Sequence, residues 1–374
     1  MKIIITKFGP ILFLIIFLLG CRKQSKTETE ETTIGKQPDS TLKLIWSGGG
    51  QGVIWPGTCS GQSGFASLLS YLGKIQDLKQ SSKVVIGGDS LVVKPKKPAF
   101  SIPKYLKLLE YMDKYGVDLF VPGQSELALL ASPEAEKIEV KSSPGLLQLQ
   151  LSDLQKSFRI FQEGELKIAL VSLIPGSSKG GAYLPEIWKR VVKKIKARKP
   201  QLIIACFSME RKKLDQLLEK FDSPPDLVFL TGKTGKAQLQ YKLGDTWVFR
   251  TSGGFSSVFK FTFSLKYSRV PFLFLNEKER YLQKQKRLTK GLNNLNRILN
   301  GKLQKQRREI FWKRRKAIKR ELQQTGVVLQ KFDGDKKTGN TFKMEVINLK
   351  DLHPDQNVEQ LLLKEGFEQK RCNK

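Results

Sequence analysis

Histidine is almost absent from this sequence, and acidic residues are scarce. The 374 residues include one histidine, His353, and 35 Asp and Glu against 66 Lys and Arg. Imidazole and carboxylate groups are the usual ligands for many protein-bound metal ions, so few side chains are available for a metal centre. The formal net charge of +31 indicates an anionic partner, such as nucleic acid, a phosphate-rich polymer or an acidic membrane surface. A solvated basic surface that only keeps the protein soluble is the alternative.

Cysteine is also scarce, and its spacing excludes several kinds of site. Cys21, Cys59, Cys206 and Cys372 form no C-x-x-C pair, so zinc-binding and haem-attachment motifs are absent. Cys59 and Cys206 follow predicted strands and could meet above a sheet, or both could remain unpaired thiols. Cys59 alone could also have a redox or metal role, or be an ordinary loop thiol.

The N-terminus has the pattern of a secretory signal. Lys2 and Lys7 flank an apolar run, Phe8–Leu19, which meets Gly20-Cys21. About 12 apolar residues are short for a membrane span, which needs about 20. Leu18-Leu19-Gly20-Cys21 resembles the bacterial lipobox. That resemblance implies cleavage before Cys21, acylation of Cys21 with palmitate-type chains, and a lipoprotein anchored in the bacterial cell envelope, outside the cytoplasm.

Composition predicts five parts along the chain. They are a signal peptide (residues 1–20), a disordered polar tether (21–40), an α/β domain (41–268), a basic helical segment (269–326) and a small C-terminal α+β tail (327–374). The tether is rich in Thr, Glu, Lys and Gln and has almost no apolar residues, so it cannot build a core of its own.

Five apolar stretches in the α/β domain each predict a strand that ends in a short polar or glycine-rich loop. They are Leu44–Gly52, Val84–Asp89, Leu119–Glu126, Leu202–Met209 and Leu227–Gly235. In α/β proteins, ligands bind beyond the carboxyl ends of strands, so these loops are the candidate site. The glycines of the first loop allow a close backbone approach, although a turn without a ligand would explain them as well.

In order and spacing, these stretches resemble the five metal-binding loops of calcineurin-like metallophosphoesterases, in particular the bacterial 5′-nucleotidases. Those loops carry Asp-x-His, Gly-Asp, Gly-Asn-His-Glu, a single His and Gly-His-x-His. The resemblance covers roughly residues 41–265. It implies an α/β fold, a two-sheet sandwich flanked by helices. The basic helical segment and the small β-containing tail would follow this sandwich.

Most of the family's ligand positions carry other residues here. The matching positions are Gly49 and Gln51 in the first loop, Asp89 in the second, Gln124 and Ser125 in the third, Met209 in the fourth, and Lys233 and Gly235 in the fifth; the glutamate of the third motif is retained as Glu126. Two-metal hydrolysis needs ligands that hold two cations about 3.5–4 Å apart. Asp89 alone cannot do this, so we expect a degenerate site with no metal and no catalytic residue.

Several alternatives remain open for the retained residues. Asp89 could cap a turn, pair with a lysine or keep a weak cation. Glu126 at a helix start is explained by the helix dipole alone. A single hard cation such as Mg²⁺ or Mn²⁺ could also use oxygen atoms of Asp89, Gln51, Gln124 and Glu126. Lys233 could supply positive charge in place of the lost cations. Gly232-Lys233-Thr234 is not a P-loop, because Leu227 stands where that motif needs glycine.

The basic helical segment differs in kind from the domain before it. Between Asn276 and Leu322 there are 17 Lys and Arg and 4 Glu. Leucines recur at intervals of three and four residues, at Leu288, Leu292, Leu295, Leu299 and Leu303, which predicts a long helix or a helical pair. A bend is expected at Gly291 or Gly301. The segment is either an architectural part with a solvated face or a surface that docks on an anionic membrane or polymer.

The sequence as a whole predicts a non-catalytic, lipid-anchored envelope protein that binds an anionic ligand or partner. The expected pocket lies above residues 48–51, Asp89, Gln124 and Lys233. One alternative is a phosphoesterase with a single or atypical metal site. Another is a structural envelope protein that acts through its basic helices. After that segment, Val327–Lys331 and Thr341–Val346 predict two strands, and a final helix follows.

Overall fold

A computed structural model describes most of the chain from residue 41 onward. The described residues are 41–50, 53–55, 63–77, 82–91, 102–130, 145–146, 157–173, 184–231, 239–251, 253–265, 272–301, 304–336 and 340–367. The predicted signal peptide, Cys21 and the tether lie outside these residues. So do Gln51, Cys59, Lys233, Gly235 and Cys372.

The described residues form thirteen strands and eight helices. The strands are β1 (Thr41–Ser47), β2 (Lys83–Gly87), β3 (Leu119–Val121), β4 (Gly145–Leu146), β5 (Phe158–Glu163), β6 (Leu166–Ser172), β7 (Leu202–Ser208), β8 (Leu227–Thr231), β9 (Leu239–Leu243), β10 (Thr246–Arg250), β11 (Ser257–Ser264), β12 (Phe272–Phe274) and β13 (Asn340–Asn348). The helices are α1 (Phe65–Asp77), α2 (Ile102–Lys114), α3 (Gln124–Leu130), α4 (Leu184–Ala197), α5 (Arg211–Leu218), α6 (Leu275–Leu299), α7 (Lys305–Lys336) and α8 (Gln356–Lys364).

The strands form two mixed sheets. The first has the order β12-β13-β11-β1-β2-β3-β4, and the second has the order β5-β6-β7-β8-β10-β9. Strands β1 to β4 run parallel, as do β6, β7, β8 and β10, whereas β11, β5 and β9 run antiparallel to their neighbours. Parallel neighbours end at the same edge of a sheet, so the carboxyl ends of β1, β2 and β3 lie together, as do those of β7 and β8.

The two sheets pack face to face around an apolar layer. Strand β1 shows how the sequence produces it, since Leu42, Leu44 and Trp46 are fully buried between the sheets and Ile45 points to the other face. This alternation follows the two-residue period of a strand. The Trp46 ring stacks on Phe229 of β8 with ring centroids 4.4 Å apart, which joins the sheets through aromatic contact.

Helices cover the outer face of each sheet. Helices α1, α2 and α8 pack on the first sheet, with buried side chains at helical spacing such as Leu68, Leu69 and Leu72 of α1. Helices α4 and α5 pack on the second sheet through residues that include Trp188 and Leu214. The predicted fold class, an α/β two-sheet sandwich flanked by helices, is therefore confirmed.

The basic helical segment is a helical hairpin of α6 and α7, which we call the hairpin. Lys284 of α6 forms an ion pair with Glu321 of α7 at 2.7 Å. The Arg315 guanidinium donates to Asn296 Oδ1 at 2.7 Å, so the helices run in opposite directions. The bend lies at Gly301, one of the two predicted positions, between the end of α6 and the start of α7. No helix within the described residues combines the length and apolar character needed to cross a membrane.

The predicted strand at Val327–Lys331 is wrong, because α7 continues to Lys336. Thr325, Leu329 and Phe332 are buried at spacings of four and three residues, which places them on one face of a helix. This packing outweighs the strand preference of Val327 and its neighbour. The domain boundary expected at residue 326 therefore falls inside α7.

The segment expected to form a small C-terminal tail is part of the main structure. The predicted strand at Thr341–Val346 corresponds to β13, which lies between β12 and β11 in the first sheet. Phe342 of β13 pairs with Phe263 of β11 and stacks on Phe274 with centroids 4.7 Å apart. The hairpin is thus an excursion between two neighbouring strands of one sheet.

Candidate functional site

The candidate site lies where the described residues after β1, β2, β3 and β7 meet the end of β8. Gly49 N, after β1, donates a hydrogen bond to Gly88 O, after β2, at 3.2 Å. The Ser208 hydroxyl, at the end of β7 in the second sheet, donates to Asp89 Oδ2 at 2.5 Å. Gly49 has a φ of 68°, a conformation that glycine adopts without strain. The site is therefore built from the ends of strands of both sheets.

The loops after β2 and β3 touch through two glycines. A Cβ atom on Gly88 would lie 2.1 Å from Gly123 N, and a Cβ atom on Gly123 would lie 2.3 Å from Asp89 N. Both obstacles are backbone atoms, which cannot move aside as a flexible side chain can. Only glycine at both positions permits this contact.

The Glu126 carboxylate joins the same two loops. Oε1 accepts hydrogen bonds from the N–H groups of Ser90 at 2.7 Å and Leu91 at 2.9 Å. Oε2 accepts from the N–H groups of Asp89 at 2.8 Å and Gly123 at 2.9 Å. The side chain is fully buried. We call Glu126 and its four N–H donors the carboxylate clamp, because one side chain satisfies four buried donors from two loops.

Two effects oppose each other at Glu126. Burial, and then the nearby Asp89 carboxylate, raise the pKa of Glu126 to about 7. The hydrogen bonds from the N–H groups of Leu91 and Asp89 favour the ionised form and lower it. The net direction is upward, because removal of a charged group from water outweighs the hydrogen bonds. Glu126 therefore exchanges a proton closer to neutral pH than an ordinary glutamate does.

Asp89 is buried beside the clamp and makes its own hydrogen bonds. Its Oδ1 accepts from Ser125 N at 3.3 Å, in the first turn of α3, and its Oδ2 accepts from the Ser208 hydroxyl. Its φ of 54° is unusual for a residue other than glycine. The contact with Ser125 fits the capping role that the sequence left open for Asp89. The contact with Ser208 ties the first sheet to the second.

The other described site residues that the sequence predicted differ in burial and in the layer to which they belong. Ser125 is buried and touches Asp89 through its backbone N–H group, whereas Gln124 is exposed. Met209 donates its N–H to Thr231 O at 3.0 Å, and its side chain packs against the apolar cluster under α4 and α5. Gly49, Asp89 and Ser125 are thus brought together, and the Met209 side chain belongs to another layer.

Sequence reasoning missed Ser208 and Ser90. Ser208 holds Asp89, and the Ser90 hydroxyl donates to Gly87 O within the loop after β2. A signal for Ser208 existed, because a hydroxyl that ends the fully buried strand Leu202–Ser208 needs a hydrogen-bond partner. Ser90 gave no comparable signal, since serine is common in turns.

The described donors do not fit a two-metal centre of the kind that the resemblance implies. Among the described residues, no group of three or more His, Cys, Asp or Glu side chains could hold a metal ion. Both oxygens of Asp89 and both oxygens of Glu126 already accept hydrogen bonds from the protein. A cation at these oxygens would have to displace those donors, and a buried donor left without a partner is costly. We therefore derive no chemical step through a metal.

Comparison with known proteins gives a distant likeness in overall fold. No family model and no curated protein matches the sequence. A protein from Staphylococcus aureus named as a candidate 5′-nucleotidase, crystallised with α-ketoglutarate, is 14% identical with a TM-score of 0.46, over 61% of this chain and 51% of that one. The sulfate thiohydrolase SoxB of Thermus thermophilus, in complex with glycerol, is 12% identical with a TM-score of 0.46, over 60% and 54%.

A phosphatase from Mycoplasma pneumoniae is 13% identical with a TM-score of 0.37, over 60% of this chain and 88% of that one. This chain spans about half the length of the Staphylococcus aureus and Thermus thermophilus proteins. Superpositions this loose assign neither an activity nor a ligand.

Proposed function

We propose that this chain is a non-catalytic protein on a metallophosphoesterase-like scaffold, anchored to the bacterial cell envelope by lipid on Cys21, and that it binds an anionic partner. The observation that carries the loss of catalysis is the carboxylate clamp. Glu126 and Asp89 are the carboxylates at the strand ends in the described part of the site, and both serve to hold loops together. In a two-metal phosphoesterase site, the carboxylate at the position of Asp89 would bind a cation instead.

The energetics oppose recruitment of Glu126 by a cation. Metal coordination would withdraw the carboxylate from four N–H donors, and each buried donor left without a partner costs about 1–3 kcal/mol. A divalent cation would gain too few other ligands at this site to offset that cost. The remaining positions that match the family's ligands are Gly49, Gln124, Ser125 and Met209 among the described residues, and these are poor ligands for such metals.

The proposal of an anionic partner rests on the positive net charge of the chain. The sequence has a formal net charge of +31, and about half of this excess lies in the hairpin and α4. A field of this sign attracts polyanions and acidic surfaces and repels cationic ones. Lipidation at Cys21 is supported by the sequence Leu18–Cys21. A Cys21→Ser variant should lose palmitate incorporation, and incorporation equal to that of the parent would contradict the anchor.

The test of catalysis uses the chain from residue 22 onward, which keeps every described residue and lacks the anchor. Hydrolysis of bis-p-nitrophenyl phosphate, p-nitrophenyl phosphate and 5′-AMP is measured with Mn²⁺, Mg²⁺ and Zn²⁺. The matched control is Asp89→Asn, which removes the one retained second-loop ligand. We expect equal background rates for both proteins. Turnover that Asp89→Asn abolishes would overturn the proposal and favour the alternative, a phosphoesterase with a single or atypical metal site.

A further inference from the structure

The end of the hairpin exposes large apolar side chains. Ile298 is 38% exposed, Ile310 is 64% exposed and Trp312 is 51% exposed. All three lie close to the bend at Gly301, in the last turn of α6 and the first turns of α7. We call residues 297–301 and 304–316 the hairpin tip. Most large apolar side chains elsewhere in the described structure are buried or half-buried, so this cluster needs an explanation.

The fold of the hairpin does not require these side chains. The two helices pack through a different face, on which Leu295, Thr325 and Leu329 are buried. Phe311 is half-buried, whereas its neighbours Ile310 and Trp312 are exposed. A helical pair held by an apolar seam is stable without apolar residues outside the seam. The exposed residues at the tip are therefore available to a partner.

The hairpin tip also carries exposed cations. Arg297, Arg307, Arg308, Lys313 and Arg314 are all exposed on the tip. The acidic residue of the tip, Glu309, forms an ion pair with Lys313 at 3.1 Å. The Arg315 guanidinium lies over the Trp312 ring, 4.7 Å from its centroid. The tip thus combines an exposed aromatic ring and two exposed aliphatic side chains with several exposed cations.

We propose that the hairpin tip docks on an anionic phospholipid bilayer, with Trp312 and Ile310 in the interface and the cations of the tip on lipid phosphates. Tryptophan favours the membrane interface because its ring is apolar and its N–H is polar. Basic residues close to an anionic leaflet are each attracted by about 1 kcal/mol. The 25 residues of α6, at about 1.5 Å per residue, give the hairpin a length of about 37 Å.

Aliphatic side chains favour a bilayer over a nucleic acid as the occupant. Cations and a tryptophan ring would serve either partner, since bases stack on aromatic rings. Ile298 and Ile310 gain little from a phosphate backbone, but they gain the full benefit of burial among acyl chains. This inference rests on the proposed binding of an anionic partner and is independent of the loss of catalysis.

The first test uses tryptophan fluorescence of the chain from residue 22 onward. The sequence has five tryptophans, and all of them are described. Trp46, Trp188 and Trp247 are buried, Trp55 is half-buried, and Trp312 is the exposed one. With phosphatidylcholine vesicles containing phosphatidylglycerol, we expect a blue shift and quenching by brominated lipids. Pure phosphatidylcholine should give neither. Raising salt from 0.1 to 1 M, which shortens the screening length from about 10 to 3 Å, should weaken binding.

Vesicle sedimentation of variants measures how much the exposed apolar side chains contribute to vesicle binding. Ile310→Ser with Trp312→Ser should lower the vesicle partition coefficient at least about tenfold, since each side chain loses its apolar burial. The matched control is Val327→Ser, which removes an exposed apolar residue (61% exposed) from the same helix away from the tip. Far-ultraviolet circular dichroism confirms that both variants stay folded. Equal loss in the control, or no loss in the tip variant, would overturn the proposal.

A second pair of variants separates the charge contribution. Arg307→Gln with Arg308→Gln should lower the partition coefficient about 30-fold, from about 1 kcal/mol for each cation. The control removes two cations from α4, Lys189→Gln with Lys193→Gln, and should bind almost as tightly as the parent. Equal losses in the two variants would show that net charge alone drives binding, which contradicts docking by the tip.

Nucleic acid and polyphosphate distinguish this inference from the proposed function. Binding to a single-stranded oligonucleotide or to polyphosphate without vesicle binding would overturn the bilayer proposal and leave an anionic partner in place. Failure to bind any of the three would overturn both the inference and the anionic partner. The hydrolysis assay tests the loss of catalysis separately, so each failure can be assigned.

Discussion

Gly88→Ala tests the contact between the loops after β2 and β3 most sharply. The new Cβ atom would lie 2.1 Å from Gly123 N and 2.2 Å from its Cα, where ordinary contact begins at 3.4 Å. The two loops must therefore separate by about 1.3 Å. Glu126 Oε2 accepts N–H groups from both loops, at 2.8 Å from Asp89 and 2.9 Å from Gly123. A separation of this size breaks at least one of these hydrogen bonds.

The expected loss of unfolding free energy is about 2.5–6 kcal/mol, the sum of two contributions. Overpacking costs about 1–3 kcal/mol, and a lost hydrogen bond to a charged group costs about 1.5–3 kcal/mol. Urea unfolding, followed by the fluorescence of tryptophans buried between the sheets, measures the change. The matched control is Gly73→Ala in α1, where the Cβ atom would meet Tyr115 at an ordinary 3.4 Å. This control should stabilise the protein by about 0.5–1 kcal/mol, because alanine is a better helix former.

Both variants replace a glycine with alanine, but the expected changes in unfolding free energy have opposite signs. A Gly88→Ala protein that unfolds at the urea concentration of the parent would refute the close loop contact, and with it the carboxylate clamp. Loss of stability in both variants to the same extent would show that the effect is not specific to the loop contact.

Three further predictions concern single groups. The raised pKa of Glu126, about 7 against an ordinary 4.5, means that the folded chain keeps a proton that the unfolded chain releases. Stability should therefore fall as pH rises from about 4.5 towards 7, and Glu126→Gln should flatten this slope in urea titrations; an unchanged slope would disprove it. Ser208→Ala removes a donor to buried Asp89 and should cost about 2 kcal/mol by the same method, and a neutral effect would count against the tie between the sheets. Gly326→Ala in α7, where a Cβ atom meets nothing within 4 Å, should stabilise the hairpin by about 0.5–1 kcal/mol in thermal unfolding, and destabilisation would contradict that environment.

The order of strands and loops could be predicted from sequence because it depends on local pattern. Apolar runs such as Leu202–Ser208 identify buried strands directly, whereas the two-sheet arrangement was expected from the resemblance of the loops that follow them. The position of β13 between β12 and β11 could not be predicted, because 65 residues separate Phe274 from Asn340 and no local signal specifies such a pairing. The pattern of α7 was misjudged because Val327 and its neighbour favour strands, whereas contact with α6 decides the helix.

In the candidate site, too, local features could be predicted from sequence and tertiary contacts could not. The sequence placed Glu126 at a helix start, where the dipole explains a carboxylate, and the structure adds hydrogen bonds to a loop 35 to 37 positions earlier in the chain. Those partners depend on the close approach of Gly88 to Gly123, a tertiary contact. Retention of Asp89 and Glu126 suggested residual metal binding, whereas their described hydrogen bonds indicate a structural role. Chemical type alone could not separate these two possibilities.

Metal content tests the central claim most directly. The chain from residue 22 onward is dialysed against Mn²⁺ or Zn²⁺, then against metal-free buffer, and is measured by elemental analysis beside Asp89→Asn. The account predicts far less than one metal ion per chain in both proteins, because Asp89 and Glu126 are held by donors of the protein. One or two tightly held ions per chain, lost in Asp89→Asn, would contradict it and establish a metal site in these loops.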